Sequence, residues 1–215
     1  MSLLRLAQST VARVLTPGCW AVDATAGRGS DTCFLAHAVG PEGRVVAFDL
    51  QAEALASTRE RLERESLVDR VHLVHASHAR LSEHLPELAR GRLAAVMFNL
   101  GYLPKGGSPL LITRPESTLL ALEQACSELR PGGVLSVVSY RGHPGGAEED
   151  AAVAHFFASR PSSWLTHLHH PPAPSETTPV LRLAIAPVPA AARPPNDALY
   201  SHSAGSRYGG VSSLG

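Results

Sequence analysis

The segment that decides the fold is Val22-Asp23-Ala24-Thr25-Ala26-Gly27-Arg28-Gly29-Ser30-Asp31-Thr32, a glycine-rich turn between an apolar run and an amphipathic one. Such a turn leads from a strand into a helix and places a ligand at the carboxyl edge of a parallel sheet. Two glycines are a weak signal by themselves, because a tight turn can require them. Asp49 strengthens the signal, since it closes the next predicted strand, where a carboxylate can accept hydrogen bonds from both hydroxyls of a ribose.

The alternation of strand and helix continues along the chain. Runs rich in Val, Leu and Phe predict strands at Cys19 to Ala24, Val45 to Asp49, Val71 to His75, Ala94 to Asn99, Val134 to Tyr140, Leu165 to His169 and Val180 to Ala186. Amphipathic periods predict helices at Leu3 to Leu15, Asp31 to Val39, Gln51 to Glu65, Arg80 to Ala89, Pro115 to Leu129 and Glu148 to Arg160. This pattern predicts a Rossmann-like α/β fold: a seven-stranded, mostly parallel sheet with helices on both faces.

Composition narrows the class of protein. The 215 residues are 44% hydrophobic, and 19 basic residues balance 19 acidic ones. That balance argues against a broad basic surface, so a nucleic-acid partner would need a local patch. No apolar run approaches the roughly 20 residues of a membrane span, three cysteines lack CxxC spacing, and no signal peptide is evident, so we expect a cytoplasmic protein. Residues 1–188 form the predicted domain, and the Pro-, Ser- and Gly-rich residues 189–215 a disordered tail.

The charges around the glycine loop bear on its ligand. A pyrophosphate favours a helix N-terminus without acids and usually a third glycine. Here Asp23 and Asp31 flank the loop, and Thr32 takes the position of the third glycine. A carboxylate pair instead suits the ammonium and sulfonium groups of S-adenosylmethionine. Arg28 argues the other way unless it turns to solvent or holds the methionine carboxylate, so an NAD-dependent reductase stays open as an alternative.

The fourth predicted strand ends in Asn99-Leu100-Gly101-Tyr102-Leu103-Pro104, where a second substrate would meet the ligand of the glycine loop. This segment resembles the Asn-Pro-Pro-Tyr signature of amino-group methyltransferases. In those enzymes the Asn oxygen and a neighbouring backbone carbonyl accept hydrogen bonds from the target amine, and the aromatic residue stacks on the attached ring. The alternative is structural: Asn99 caps a turn and Tyr102 belongs to the core.

A second glycine-rich loop begins at Tyr140 on the same rim and contains His143. His143 is a candidate acid, base or substrate contact, or an ordinary exposed loop histidine. Ser77 and His78 directly follow the third strand, a position from which residues commonly contact an adenine. We expect no metal site, because the remaining histidines either point to opposite faces of a strand or lack a Cys or carboxylate partner at ligand spacing.

Together, VDATAGRGSDT, AFDLQ, ASH, FNLGYLPKGG and YRGH resemble the small bacterial group called rRNA methylases, whose characterised members act as tRNA 5-aminomethyl-2-thiouridine methyltransferases. The resemblance implies a class I methyltransferase fold, S-adenosylmethionine as cofactor, the anticodon region of tRNA as substrate and a possible homodimer. This chain departs from the family at Arg28 and Ser30. The implied cofactor contacts are Asp23, Thr25, Gly27, Gly29, Asp31, Thr32, Asp49, Gln51, Ser77, His78 and Asn99. The implied substrate contacts are Leu100, Gly101, Tyr102, Lys105, Tyr140 and His143.

The chemistry assigns roles to a few of these residues. An alkylamine has a pKa near 10, so at neutral pH about one molecule in a thousand carries a free lone pair, a deficit of roughly 4 kcal/mol. We expect Asn99 and the Leu100 carbonyl to accept the remaining N–H bonds and Tyr102 to pack against the uracil ring, while His143 or water takes the proton. Lys105 is a candidate phosphate contact or a solvated turn lysine. An rRNA base amine, a protein amide or a non-catalytic binding role remain alternatives.

Overall fold

The computed structural model describes residues 2–101, 113–171 and 175–189. Its strands are β1 (Trp20–Asp23), β2 (Arg44–Asp49), β3 (Val71–His75), β4 (Leu93–Leu100), β5 (Leu129–Ser139), β6 (Leu165–His169) and β7 (Val180–Ile185). Its α-helices are α1 (Leu3–Ala12), α2 (Ser30–Ala38), α3 (Ala52–Arg64), α4 (Leu81–His84), α5 (Pro115–Glu128) and α6 (Gly146–Ala158). Within these residues, no helix is long and apolar enough to cross a membrane.

The strands form one seven-stranded sheet in the order β3-β2-β1-β4-β5-β7-β6. The first five strands pair in parallel, whereas β7 runs antiparallel to both β5 and β6. The predicted mostly parallel α/β fold is therefore confirmed. The order of the sheet places β4 directly beside β1, and Asp23 at the end of β1 pairs with Met97. Asn99, two residues further along β4, thus arrives next to the glycine loop.

Two apolar layers cover the sheet. One layer joins α1, α2 and α3 to one face and includes Val11, Leu35 and Leu62, all almost fully buried. The other joins α5 and α6 to the opposite face and includes Leu122 and Phe156. Because both faces of the central strands are covered, β4 consists of apolar residues up to Asn99, which explains why it reads as a continuous apolar run.

Three predicted elements differ from the structure by three residues or more, among them β5, which begins at Leu129 rather than Val134. The helix expected over Arg80 to Ala89 is instead a 3-10 turn, the four-residue α4 and a second 3-10 turn at Glu87–Ala89. Pro86 interrupts it, because proline lacks a donor N–H and drives the preceding Leu85 to extended backbone, with ψ of 129°. The N-terminal helix ends at Ala12 rather than Leu15. The tail predicted after residue 188 falls almost wholly outside the described residues.

Candidate functional site

A cavity of about 490 Å³ opens at the carboxyl ends of β1, β2 and β4. Its volume lies within the roughly 300–1,000 Å³ typical of small-molecule sites. The wall combines the glycine loop with residues from α1, from the ends of β2 and β4 and from the start of α5. The lining residues are Leu4, Ala24, Thr25, Ala26, Gly27, Arg28, Ser30, Asp31, Phe48, Asp49, Leu50, Gln51, Ala76, His78, Asn99, Gly101, Thr113, Ser117 and Tyr140.

The two loop glycines have different tasks. Gly27 lines the cavity, and its N–H donates to Asp49 Oδ2 at 2.8 Å. Gly29 lies away from the cavity, in the left-handed conformation with φ of +75°, and a Cβ there would lie 2.9 Å from Thr58 Cγ2. Thr58 is fully buried on α3 and donates its hydroxyl to the Gly27 carbonyl at 2.9 Å. Gly29 is therefore required by the close approach of α3 to the loop rather than by contact with a ligand.

Asp23 lies behind the loop instead of at the cavity wall. It is fully buried, and it accepts hydrogen bonds from the Thr25 N–H at 3.1 Å and the Thr32 hydroxyl at 2.6 Å. Burial, together with the negative charge of Asp31, raises the pKa of Asp23 to about 7. Asp23 and Asp31 therefore do not form the expected acidic pair facing a cationic ligand, because only Asp31 lines the cavity. Thr32, also fully buried, supports Asp23 in the same way.

Asp49 and Gln51 both line the cavity at the end of β2. Asp49 Oδ1 accepts the Gln51 N–H at 2.9 Å, while its Oδ2 accepts the N–H of Gly27. A carboxylate has about four acceptor sites, so each oxygen retains the capacity for one further donor. This geometry allows Asp49 to hold the loop in place and to bind two vicinal hydroxyls at once.

His78 presents a hydrogen-bond acceptor at the cavity wall. Burial lowers the pKa of His78 to about 4, so the ring is neutral near pH 7. Its Nδ1 lies 3.3 Å from the Ala24 carbonyl, which can only accept, so Nδ1 carries the proton and Nε2 is an acceptor. Nε2 is buried and has no hydrogen-bond partner among the described residues. Ser77 does not line the cavity, and its hydroxyl caps the 3-10 turn by accepting the Ala79 N–H at 3.2 Å.

The side-chain amide of Asn99 is held in one orientation. Its Nδ2 donates to Asp31 Oδ2 at 2.6 Å, and its backbone N–H donates to Thr25 Oγ1 at 2.7 Å. Because a carboxylate oxygen accepts, the amide must turn its NH₂ group toward Asp31. Asn99 Oδ1 is then the remaining end of the amide, and it is buried without a hydrogen-bond partner in the described part of the chain. Asn99 Oδ1 is thus a hydrogen-bond acceptor of fixed orientation with no donor among the described residues.

Two hydrogen bonds join Gly101, at the end of β4, to Thr113, just before α5. The Gly101 N–H donates to Thr113 Oγ1 at 2.9 Å, and the Thr113 N–H donates to the Gly101 carbonyl at 3.1 Å. The Thr113 hydroxyl in turn donates at 2.5 Å to Glu149, which is buried on α6 and also accepts the Thr118 hydroxyl at 2.6 Å. Burial raises the pKa of Glu149. Glu149 therefore holds Thr113 in place and, through Thr113, the Gly101 N–H at the end of β4.

The expected role of the Leu100 carbonyl needs correction. Leu100 is fully buried in β4, and its carbonyl accepts the Tyr140 N–H at 3.0 Å as part of the sheet. The next residue, Gly101, lines the cavity, and its carbonyl accepts the Thr113 N–H at 3.1 Å. Tyr102 and Lys105, which sequence reasoning placed against the substrate, lie outside the described residues.

Tyr140 and His143 flank this region from the loop after β5. Tyr140 lines the cavity, and burial together with the charge of Asp31 raises its pKa, so its hydroxyl stays protonated near neutral pH. His143 is not part of the cavity wall, and its Nδ1 donates to the Pro144 carbonyl at 3.0 Å. A Cβ placed on Gly101 would nevertheless lie 3.5 Å from His143 Nε2. His143 therefore lies beside Gly101.

Several wall residues carry no sequence signal. Leu4 comes from α1, Thr113 from just before α5 and Ser117 from its first turn, and none of the three belongs to a motif quoted above. Thr58 could have been suspected as a polar residue on the apolar side of an amphipathic helix, because a buried hydroxyl needs a partner. In the described residues, no group of three His, Cys, Asp or Glu side chains is placed to hold a metal ion.

Comparison with known proteins identifies relatives with this architecture. Residues 45–186 match the family described as "Putative rRNA methylase". The chain is 40% identical over 162 residues to the chloroplastic tRNA (mnm(5)s(2)U34)-methyltransferase of Arabidopsis thaliana, a match that covers 71% of this chain but 58% of that relative's length. A structure described as a putative rRNA-methylase from Clostridium thermocellum superposes with a TM-score of 0.81 at 34% identity, covering 86% of this chain and 97% of that one. A structure described as a putative methyltransferase from Streptococcus mutans in complex with SAH superposes with a TM-score of 0.77 at 33% identity, covering 86% of this chain and 98% of that one.

Proposed function

This chain belongs to the rRNA methylase family, and from that premise we propose that it is an S-adenosylmethionine-dependent N-methyltransferase acting on tRNA. The proposed acceptor is the aminomethyl group of 5-aminomethyl-2-thiouridine at the wobble position, giving 5-methylaminomethyl-2-thiouridine. The observation that carries the proposal is the oriented, buried and unpartnered Oδ1 of Asn99, a residue of the cavity wall. An acceptor in this position selects a substrate atom that bears hydrogen, as an amine does.

The cavity has the features that S-adenosylmethionine requires. Asp49 can accept hydrogen bonds from the two ribose hydroxyls, and His78 Nε2 can accept one from the exocyclic amine of adenine. Phe48, Leu50 and Ala76 supply apolar wall for the ring. When bound, S-adenosylmethionine supplies a methyl group activated by a sulfonium. The S. mutans relative in complex with SAH supports this assignment over a dinucleotide.

Asn99 supplies orientation in the proposed reaction. An amine must lose a proton before it has a lone pair, and the neutral amine still carries N–H groups. By accepting one of these at Oδ1, Asn99 fixes the direction of the lone pair, and alignment of the reacting atoms is the main source of rate enhancement available here. The Gly101 carbonyl, proposed here in place of Leu100, accepts the Thr113 N–H through one lone pair and has a second lone pair for the other N–H of the amine. His143 or water accepts the proton that the amine releases.

A tRNA substrate has consequences for partners and location. The A. thaliana relative acts on U34 of tRNA, which supports the anticodon region as the binding partner. We also propose a cytoplasmic enzyme, because tRNA must be accessible to it. A homodimer, which the family resemblance implies, stays a prediction that sedimentation analysis can test.

The experiment that tests the proposal removes the acceptor. Asn99→Ala should reduce methyl transfer at least about a hundredfold, because alignment is lost, while the affinity for S-adenosylhomocysteine measured by calorimetry stays within about threefold. Substrate is total RNA from a strain that lacks the enzyme, and nucleoside mass spectrometry locates the methyl group. Wild-type turnover by Asn99→Ala would refute the role of Asn99. Methylation of an rRNA base, with tRNA unmodified, would instead refute the tRNA assignment.

A further inference from the structure

Gln8 of helix α1 is hydrogen-bonded to Asp31, which lies on the cavity wall. Gln8 Nε2 donates to Asp31 Oδ1 at 2.7 Å, and Asp31 Oδ2 accepts Asn99 Nδ2 at 2.6 Å. The two hydrogen bonds use different oxygens of one carboxyl group, so Gln8, Asp31 and Asn99 form a continuous chain. Gln8 itself is absent from the cavity wall, whereas Asp31 and Asn99 are part of it.

The chain of hydrogen bonds determines which way the Asn99 amide faces. A carboxyl group rotates about its last bond, and rotation of Asp31 would withdraw the oxygen that holds Asn99 Nδ2. The bond from Gln8 opposes that rotation, because it fixes the second oxygen from the other side. Asp31 is 6% exposed, so little water is available to replace a lost partner.

The helix that carries Gln8 is itself rigidly placed. Ala7 and Val11, which flank Gln8 on α1, are fully buried in the layer that also contains Leu35 and Val45. Ser2 caps the helix by accepting the Arg5 N–H at 3.3 Å. The Gln8 amide is therefore carried by a helix that is packed against the core.

From this geometry we propose that Gln8 is a positioning residue for methyl transfer. It holds the Asp31 carboxyl group in one orientation. The Asn99 NH₂ group then stays turned toward Asp31, and Asn99 Oδ1 stays available to the substrate amine. The inference rests on the proposed function, because it assumes that Asn99 Oδ1 receives the amine. It adds that Gln8, on the helix that precedes the first strand, controls the alignment step from outside the cavity wall.

The test compares Gln8→Met, which keeps the length of the side chain but deletes the donor, with Ser9→Ala as the matched control. The Ser9 side chain is exposed and donates within its own helix to the Leu6 carbonyl at 2.9 Å, so its removal perturbs α1 without touching Asp31. The first readout is the side-chain amide region of a ¹⁵N-¹H correlation spectrum of the ligand-free protein, with the Asn99 signal assigned from Asn99→Ala. Gln8→Met should shift or broaden the Asn99 pair, and Ser9→Ala should leave it in place.

The second readout is steady-state methyl transfer to tRNA. We expect Gln8→Met to lower kcat about three- to tenfold, the equivalent of one lost hydrogen bond, with KM for tRNA and affinity for S-adenosylhomocysteine within about twofold of wild type. Unchanged Asn99 signals would overturn the inference, as would a loss of S-adenosylhomocysteine affinity equal to the loss of rate, which would make Gln8 a ligand contact. The spectrum needs no substrate, so its outcome stands even if tRNA proves to be the wrong acceptor and the proposed function fails.

Discussion

Replacing Asp23 with asparagine should stabilise the protein above neutral pH and change its stability little in acid. Asp23 is fully buried and its pKa is raised to about 7 from the ordinary 3.8, chiefly by burial. At a pH between these two pKa values, Asp23 is protonated in the folded state and ionised in the unfolded state. Stability is therefore lost as pH rises from about 4 through about 7, and it stays low above that.

The magnitude follows from the size of the pKa shift. A shift of about three units corresponds to about 4 kcal/mol at pH above 7, and to about 2 kcal/mol near pH 5, where part of the penalty is already present. The Asp23→Asn variant would avoid the penalty, because an amide does not ionise. The amide oxygen can still accept the Thr25 N–H, and the NH₂ group can donate to the Thr32 hydroxyl, which is able to reverse its role.

The assay is urea unfolding of wild type and Asp23→Asn at about pH 5 and about pH 8. The difference between the two proteins should move in favour of the variant by about 2 to 3 kcal/mol over this interval. Glu149 and His78 titrate in both proteins and cancel in the comparison. Asp23→Ala, which leaves the Thr25 N–H and the Thr32 hydroxyl without an acceptor, should be less stable than Asp23→Asn at both pH values. Parallel pH profiles for wild type and Asp23→Asn would refute the reasoning.

Three further predictions concern the loop, Glu149 and the substrate. Glu149→Ala should cost about 2 to 4 kcal/mol in urea unfolding, because the buried Thr118 hydroxyl and the partly buried Thr113 hydroxyl lose their acceptor, and a loss under about 1 kcal/mol would contradict this role of Glu149. Gly29→Ala should cost about 2 kcal/mol or more and weaken S-adenosylhomocysteine binding, since its Cβ meets Thr58 at a positive φ; unchanged melting would count against this packing. Binding of tRNA should weaken only shallowly with salt, with a log–log slope smaller than about 4 in magnitude, and a steep slope would show a basic surface that the balanced charge does not suggest.

The central strands could be predicted because they are buried on both faces and therefore read as apolar runs, whereas the edge strands β3 and β6 are largely exposed. β3 and β6 have the predicted bounds, and β4 extends the prediction by one residue at each end. The reversed direction of β7 carries no local signal, because pairing direction depends on how distant strands meet. The helix broken at Pro86 shows the reverse case, in which a local residue overrules the amphipathic period.

The residues of the site likewise fall into those that the sequence predicts and those that depend on distant contacts. The positions of Gly27, Asp49 and Asn99 at the cavity could be anticipated, since each lies at or just after the end of a strand, and strand ends meet at one edge. The burial of Asp23 behind the loop could not be predicted, because Asp23 and Asp31 lie in one motif. Only the packing shows that Asp31 lines the cavity and Asp23 does not. Gln8 and Glu149 escaped sequence reasoning entirely, since their hydrogen bonds join residues 23 to 36 positions apart.

The reciprocal hydrogen bonds between Gly101 and Thr113 bear on how enzymes of this kind diverge. Gly101 and Thr113, the described residues on either side of 102–112, are hydrogen-bonded to each other, and Glu149 holds Thr113 from α6. Exchanging residues 102–112 for a stretch of other length or composition would leave the ends of β4 and α5 where they are. Acceptor choice could therefore evolve, or be engineered by transplanting this segment between homologues, without rebuilding the compartment that holds the methyl donor.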